Sequence, residues 1–257
     1  MEKPEGGAEV EVVTSAFRKV RDRGDTLLGA VGIFLVGGFV VAFFGTLAFT
    51  ELAEHVSSGA TQAFDERVLL WIKTLRSHYA DTLMLELTAL GTGMVVLVIS
   101  GIAALFLALN KHKYSALLLA VATIGGLALN GVLKIGFNRP RPEVVEWGTQ
   151  AFSSSFPSGH AMSATIVYST VAYLAARLQK RLWSKLLTMF SAFVMIVLIC
   201  ISRLYLGVHY PSDVAAGVTI GLAWTGFCMA TLEGIQRFAR RGDKGIEHEA
   251  TEADTKV

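Results

Sequence analysis

Residues 186–232 read LLTMFSAFVMIVLICISRLYLGVHYPSDVAAGVTIGLAWTGFCMATL. Two charge-free apolar stretches, Leu186 to Ser202 and Val214 to Leu232, flank a short polar connection, Arg203 to Asp213. A run of about 17 to 25 apolar residues crosses the hydrocarbon core as a helix, because lipid offers the backbone no hydrogen-bond partner. The same pattern recurs upstream at Leu27 to Phe49, Leu87 to Leu109, Tyr114 to Leu133 and Ala161 to Ala176. It predicts an all-α polytopic membrane protein built as a six-transmembrane-helix bundle. The fourth and fifth stretches are near or below the minimum length unless uncharged flanks such as Ser158 and Gly159 extend them. The membrane domain is expected over 27–233, after a cytoplasmic segment 1–26 and before a disordered cytoplasmic tail 234–257.

Composition agrees. Of the 257 residues, 53% are hydrophobic and only 17% charged, against about 25% charged in soluble domains. A formal net charge of +2 provides no basic face for nucleic acid, which is excluded as a partner. Cys200 and Cys228 lie in apolar runs and read as buried thiols rather than a disulfide. The polar first 26 residues and the length of the first apolar run predict a retained anchor, not a cleaved signal. Gly32, Gly37 and Gly38, Gly125 and Gly126, and the Gly217–Gly221 pair permit close helix approach.

Lys and Arg are retained on the cytoplasmic side of a bilayer. Most of the 23 basic residues fall in the two ends and in the connections around Lys111 and Lys180, which predicts cytoplasmic termini. The segments Glu51 to Glu86, Ile135 to Pro157 and Arg203 to Asp213 then face outward. Within the first of these, Phe64, Val68, Trp71, Ile72 and Leu75 recur at helical spacing with Asp65, Glu66, Lys73 and Arg76 largely off that stripe. This predicts an interfacial amphipathic helix between the first and second spans.

Ionisable groups clustered at one membrane face mark a functional site. Three outward pieces supply them: Lys134 followed by Asn138, Arg139, Pro140 and Arg141; Pro157, Ser158, Gly159 and His160 at a helix start; and Ser202, Arg203, His209 and Asp213. Lys134, Arg141 and Arg203 suit a group with about two negative charges, each Arg able to grip phosphate oxygens in pairs. Ser158 and Gly159 offer free backbone N–H groups and the positive end of a helix dipole. His160 and His209 exchange protons near neutral pH. Asp213 lies four residues after His209 across Pro211, so its carboxylate can hold one ring nitrogen protonated and leave the other free as base or nucleophile. Glu143 and Glu146 lack histidines at ligand spacing, so a metal-independent site without cofactor is expected.

Together these pieces resemble the type 2 phosphatidic acid phosphatase (PAP2) superfamily of membrane lipid phosphatases. Lys134, six residues, then Arg141-Pro142 is similar to its first motif, Pro157-Ser158-Gly159-His160 to its second, and Ser202-Arg203, five residues, His209, three residues, Asp213 to its third. The resemblance implies catalysis through a phosphohistidine on His209, oriented by Asp213, with His160 as acid. It also implies that Lys134, Arg141, Ser158, Gly159 and Arg203 hold the phosphoryl group, with Arg139 a lesser candidate. The expected substrates are bilayer lipids bearing a phosphate or diphosphate: undecaprenyl diphosphate, slightly preferred, phosphatidylglycerol phosphate or phosphatidic acid. Competing readings are a lipid phosphotransferase using the same histidine and a non-catalytic phospholipid carrier or flippase. Oligomeric state is open.

Overall fold

The computed structural model describes residues 35–254, with side chains as far as Ile235 except Glu233. It is helical throughout: α1 Leu35–Ser57, α2 Gln62–Lys73, α3 His78–Ala89, α4 Gly93–Leu109, α5 Lys113–Phe137, α6 Gly159–Leu178, α7 Leu182–Tyr205 and α8 Pro211–Asp254. The start expected for the first span, Leu27, and Gly32 lie outside the described residues, as does the segment 1–26. α8 continues through a stretch expected to be a disordered tail, where Ala, Glu and Arg favour helix despite the mixed charge.

Among the described residues four helices are long and apolar enough to cross a membrane, α1, α5, α7 and Pro211–Leu232 of α8, and α3 with α4 makes a fifth if that bent pair is one span. Their outer faces carry large apolar side chains open to the surroundings, among them Phe43 and Phe44 on α1 and Phe190 and Phe193 on α7. A lipid solvent explains such faces; water does not. α6 does not join the count. It sits at the centre of the bundle against α7, α8, α5 and α4, and eleven of its 20 residues are buried. A helix wrapped by others need not be uniformly apolar, so Ser163, Thr165 and Thr170 are tolerated inside.

The second expected span is not one continuous helix. The chain breaks between Ala89 and Gly93, and α3 and α4 meet at 49°. Thr92 begins the new helix by accepting from Val95 N, and Tyr168 donates to the Leu90 carbonyl at 3.0 Å, satisfying a group that the break frees. Gly91 is required there: a Cβ would stand 2.7 Å from Ile199 Cγ2 and 3.4 Å from His160. The break thus places backbone against His160.

Glycine sets helix spacing at several of the positions expected. At Gly217 a Cβ would lie 2.6 Å from the Ser158 carbonyl, and at Gly221 3.0 Å from Thr165 Cβ, so α8 rests on α6. Gly126 receives Ile166, Gly125 receives Trp224, and Gly38 receives α8. Gly37 has nothing within 4 Å of a built Cβ and does not serve this purpose.

α2 forms where the spacing predicts, but it faces differently from a simple surface anchor. Asp65 and Leu69 are buried against the protein, while Phe64, Trp71 and Leu75 are exposed. The periodicity located the apolar stripe; it did not show that the off-stripe Asp65 is the residue turned inward.

Candidate active site

α5 ends because Asn138 adopts a left-handed conformation (φ 42°) and is followed by Arg139-Pro140. The helix runs past Leu133, which keeps Lys134 on its last turn. The loop 138–158 then folds over the bundle end, anchored by Phe156, whose ring meets Phe49 at 5.8 Å and Phe137 at 4.9 Å. Ser158 is the N-cap of α6, and its N–H donates to the Asp213 carbonyl at 2.9 Å, tying the second motif to the start of α8. Gly159 lets α5 come close, since a Cβ there would lie 2.9 Å from Asn130 Oδ1.

All eight residues expected at the site are brought to one end of the bundle. Lys134 lies within electrostatic reach of Arg141, Arg203 and Asp213, and His160 within reach of Arg203, His209, Lys134 and Arg141. Ser158, Arg203, His209 and Asp213 are buried, whereas Lys134, Arg141, Gly159 and His160 are half-buried. The arrangement is a recess with buried walls and a partly open mouth.

Several polar atoms in those walls lack a partner among the described residues: Ser158 Oγ, Arg203 Nε and His209 Nδ1. Buried donors without acceptors are costly, and an anion in the recess would satisfy the first two. Arg203 is otherwise held by Nη1 donating to Thr88 Oγ1 at 2.6 Å. Arg141 donates through Nε to the Ser153 carbonyl and through Nη1 to the Val208 carbonyl, at 2.8 and 2.7 Å. Lys134 donates to Ser153 Oγ and the Ser154 carbonyl at 3.0 and 2.7 Å.

His209 has distinct sides. Nε2 is 3.5 Å from Arg141 Nη1, so it faces the cations. Nδ1 is 3.5 Å from Asp213 Oδ2, longer than a well-formed hydrogen bond yet oriented by the charge. Burial lowers the His209 pKa from 6.5 to about 4, against the upward pull of Asp213 and with the help of Arg203 and Arg141. At neutral pH the ring is uncharged and keeps a free lone pair.

Asp213 accepts from Tyr210 N at 2.8 Å, from Ser155 Oγ, and from Arg139 Nη1 at 2.6 Å. Arg139 therefore does not join the cations of the recess. Its guanidinium also donates to Asp65 Oδ2 at 3.0 Å, Ser212 Oγ at 2.8 Å and Gln62 Oε1 at 3.3 Å and lies over the Tyr210 ring, 4.2 Å from its centroid. Asp65, Thr88, Ser155 and Gly91 were not singled out in the sequence. The Gly91-Thr92 pair inside an apolar run was a readable break signal; Asp65, Thr88 and Ser155 carry none.

An apolar cavity lies elsewhere in the described part. It encloses about 570 Å³ between α1, α6, α7 and α8, is almost wholly apolar, and none of the eight site residues lines it.

A family model described as PAP2 superfamily matches residues 114–237. The chain belongs to that superfamily, and it is a multi-pass membrane protein and a phosphate-ester hydrolase of that class. Among its relatives, phosphatidylglycerophosphatase B of Bacillus subtilis is 32% identical over 196 residues, 76% of this chain and 96% of the relative. An Escherichia coli protein named, provisionally, undecaprenyl-diphosphatase YbjG is 32% identical over 118 residues, 44% of this chain and 55% of the relative. The crystal structure of a transmembrane PAP2 type phosphatidylglycerolphosphate phosphatase from Bacillus subtilis superposes with a TM-score of 0.71 at 30% identity, covering 77% of this chain and 98% of that one.

Proposed function

We propose that the protein hydrolyses lipid phosphates at the outer membrane face through a phosphohistidine on His209. Its Nε2 attacks phosphorus in line, His160 protonates the departing lipid oxygen, and water then releases phosphate from the ring. Asp213 holds Nδ1 protonated and offsets the positive charge the ring gains. Lys134, Arg141, Arg203, Ser158 and the Gly159 N–H grip the phosphoryl oxygens and stabilise the charge that spreads over them. In this reading the bundle crosses the bilayer six times, with α6 as the shielded span, both termini cytoplasmic and the recess outward. The exposed stripe of α2 rests at the lipid–water boundary.

The observation that carries the reading is the convergence of three cations and two imidazoles on a recess where Arg203 Nε and Ser158 Oγ lack partners among the described residues. The proposed route runs through His209 and uses no metal ion. Phosphatidylglycerol phosphate is the first substrate to test, given the near-complete coverage of the Bacillus subtilis relative. Undecaprenyl diphosphate and phosphatidic acid follow.

The deciding experiment is phosphate release by purified protein from a panel of these lipids, with and without chelator, beside His160→Ala and His209→Ala. Release that both substitutions abolish and chelator leaves intact is expected. Release lost on chelation and restored by a divalent ion would refute the metal-free route, and transfer to a second lipid would identify a phosphotransferase.

A further inference from the structure

Outside the recess, the described residues contain one other tightly connected ionic group, and it touches the recess through Asp213. Arg139 sits between two carboxylates, 3.0 Å from Asp65 Oδ2 and 2.6 Å from Asp213 Oδ1, with side-chain exposures of 9% for the Arg and 0% for each Asp. Asp65 is fixed in turn by Ser212, whose N–H donates to Oδ1 at 3.0 Å and whose hydroxyl donates to Oδ2. Asp65 comes from α2, an element that contributes nothing to the phosphate grip.

We propose that Asp65 and Arg139 are positioning residues that set how much of the negative charge on Asp213 reaches His209. The inference rests on the reading of His209 as nucleophile. A lone guanidinium bound to Asp213 would cancel most of its charge and leave the imidazole without electrostatic support. Sharing that guanidinium with Asp65 leaves the trio with one net negative charge at a largely buried position, where such charges act strongly. Oδ2 of Asp213, turned towards His209 Nδ1, is meanwhile held by Ser155 Oγ and Tyr210 N. The excess negative charge is therefore available to the ring when it becomes cationic on attack.

The other charges around His209 belong to the opposite, phosphate-facing side: Arg141 from the loop, Arg203 from α7, Lys134 from α5, and the His160 ring from α6. Glu66 of α2 acts on Tyr210, not on His209. Asp65 and Arg139 are thus the pair whose charges can be varied without touching the groups proposed to hold phosphate.

The two single neutralisations have opposite signs. In Asp65→Asn, Arg139 turns wholly to Asp213, protonated His209 loses support, and its pKa falls. In Arg139→Gln, Asp213 is freed and the pKa rises. The test is kcat/KM against pH for phosphatidic acid in mixed micelles, using full-length wild type, D65N, R139Q, D65N/R139Q and H209A. The acid limb is expected to move about one pH unit down in D65N and about one unit up in R139Q, with kcat lower by about tenfold in each. In the double variant the limb returns near wild type while kcat stays low, because geometry is lost but net charge is not. A role in folding alone would lower activity without sending the limbs in opposite directions. Limbs that stay in place or move the same way overturn the proposal. If one single variant fails to fold because it buries an unpaired charge, the other decides: an acid limb displaced in its stated direction supports the proposal, and one that stays in place or moves the other way overturns it. H209A with wild-type turnover fails the nucleophile reading instead, and takes this inference with it.

Discussion

His209 Nδ1 stands 3.5 Å from Asp213 Oδ2 and makes no hydrogen bond among the described residues. The pair is aligned but not closed, because both Asp213 oxygens are already engaged by Arg139, Ser155 and Tyr210 N. A contact that tightens when the ring becomes cationic favours the transition state over the resting enzyme, which raises turnover and not merely affinity. Asp213→Asn is expected to lower kcat by about a thousandfold with a much smaller change in KM. A steady-state comparison with wild type checks this, and a change confined to KM would show that Asp213 serves binding.

The pH dependence has a defined sign. His209 titrates at about 4 in the folded protein and 6.5 in the ordinary state, with burial as the main cause. Between those values the unfolded chain binds a proton that the folded one refuses. His209 therefore contributes stability that is complete above pH 6.5 and lost as pH falls towards 4. Thermal unfolding in detergent is expected to show a smaller drop in Tm for His209→Gln than for wild type between pH 7 and pH 4.5. Parallel curves would mean that the ring is not held neutral.

How much of this was readable beforehand depended on what each residue's role required. Lys134, Arg141, the Pro157 to His160 string, Arg203, His209 and Asp213 were legible as a cluster because ionisable groups at one end of apolar spans stand out in the sequence, and the structure gathers them at one end of the bundle. Gly217 and Gly221 were legible because close packing demands the absence of a side chain. The α3–α4 break was missed because apolar continuity masked Gly91-Thr92. Asp65 carries no signal because its place off the apolar stripe says nothing of burial, and only a tertiary partner, Arg139 74 residues away in sequence, compensates its charge inside the protein. Thr88, 115 residues from Arg203, is invisible for the same reason.

Thr88 gives a test of the phosphate grip that leaves all motif residues intact. Its hydroxyl accepts from Arg203 Nη1 at 2.6 Å, which fixes one end of the guanidinium while Nε has no partner among the described residues. Thr88→Val keeps the shape and removes the acceptor. A hydrogen bond to a charged group contributes about 1.5–3 kcal/mol, so KM for a lipid phosphate should rise about tenfold or more with the fold unchanged. An unaltered KM would show that Arg203 is positioned by other contacts.

Helix spacing gives the last prediction. At Gly217 a Cβ would meet the Ser158 carbonyl at 2.6 Å, and because that atom is backbone it cannot swing aside. Gly217→Ala must then push α8 from α6, at a cost of about 1–3 kcal/mol, and must move the Ser158 N–H bond to the Asp213 carbonyl. Both Tm in detergent and kcat should fall, since the same displacement separates the second motif from the third. Gly37→Ala is the matched control: with nothing within 4 Å, added helix propensity should leave Tm equal or slightly higher. A Gly217→Ala protein with wild-type Tm and turnover would show that the α6–α8 contact can relax, and that the site does not depend on the spacing its glycines permit.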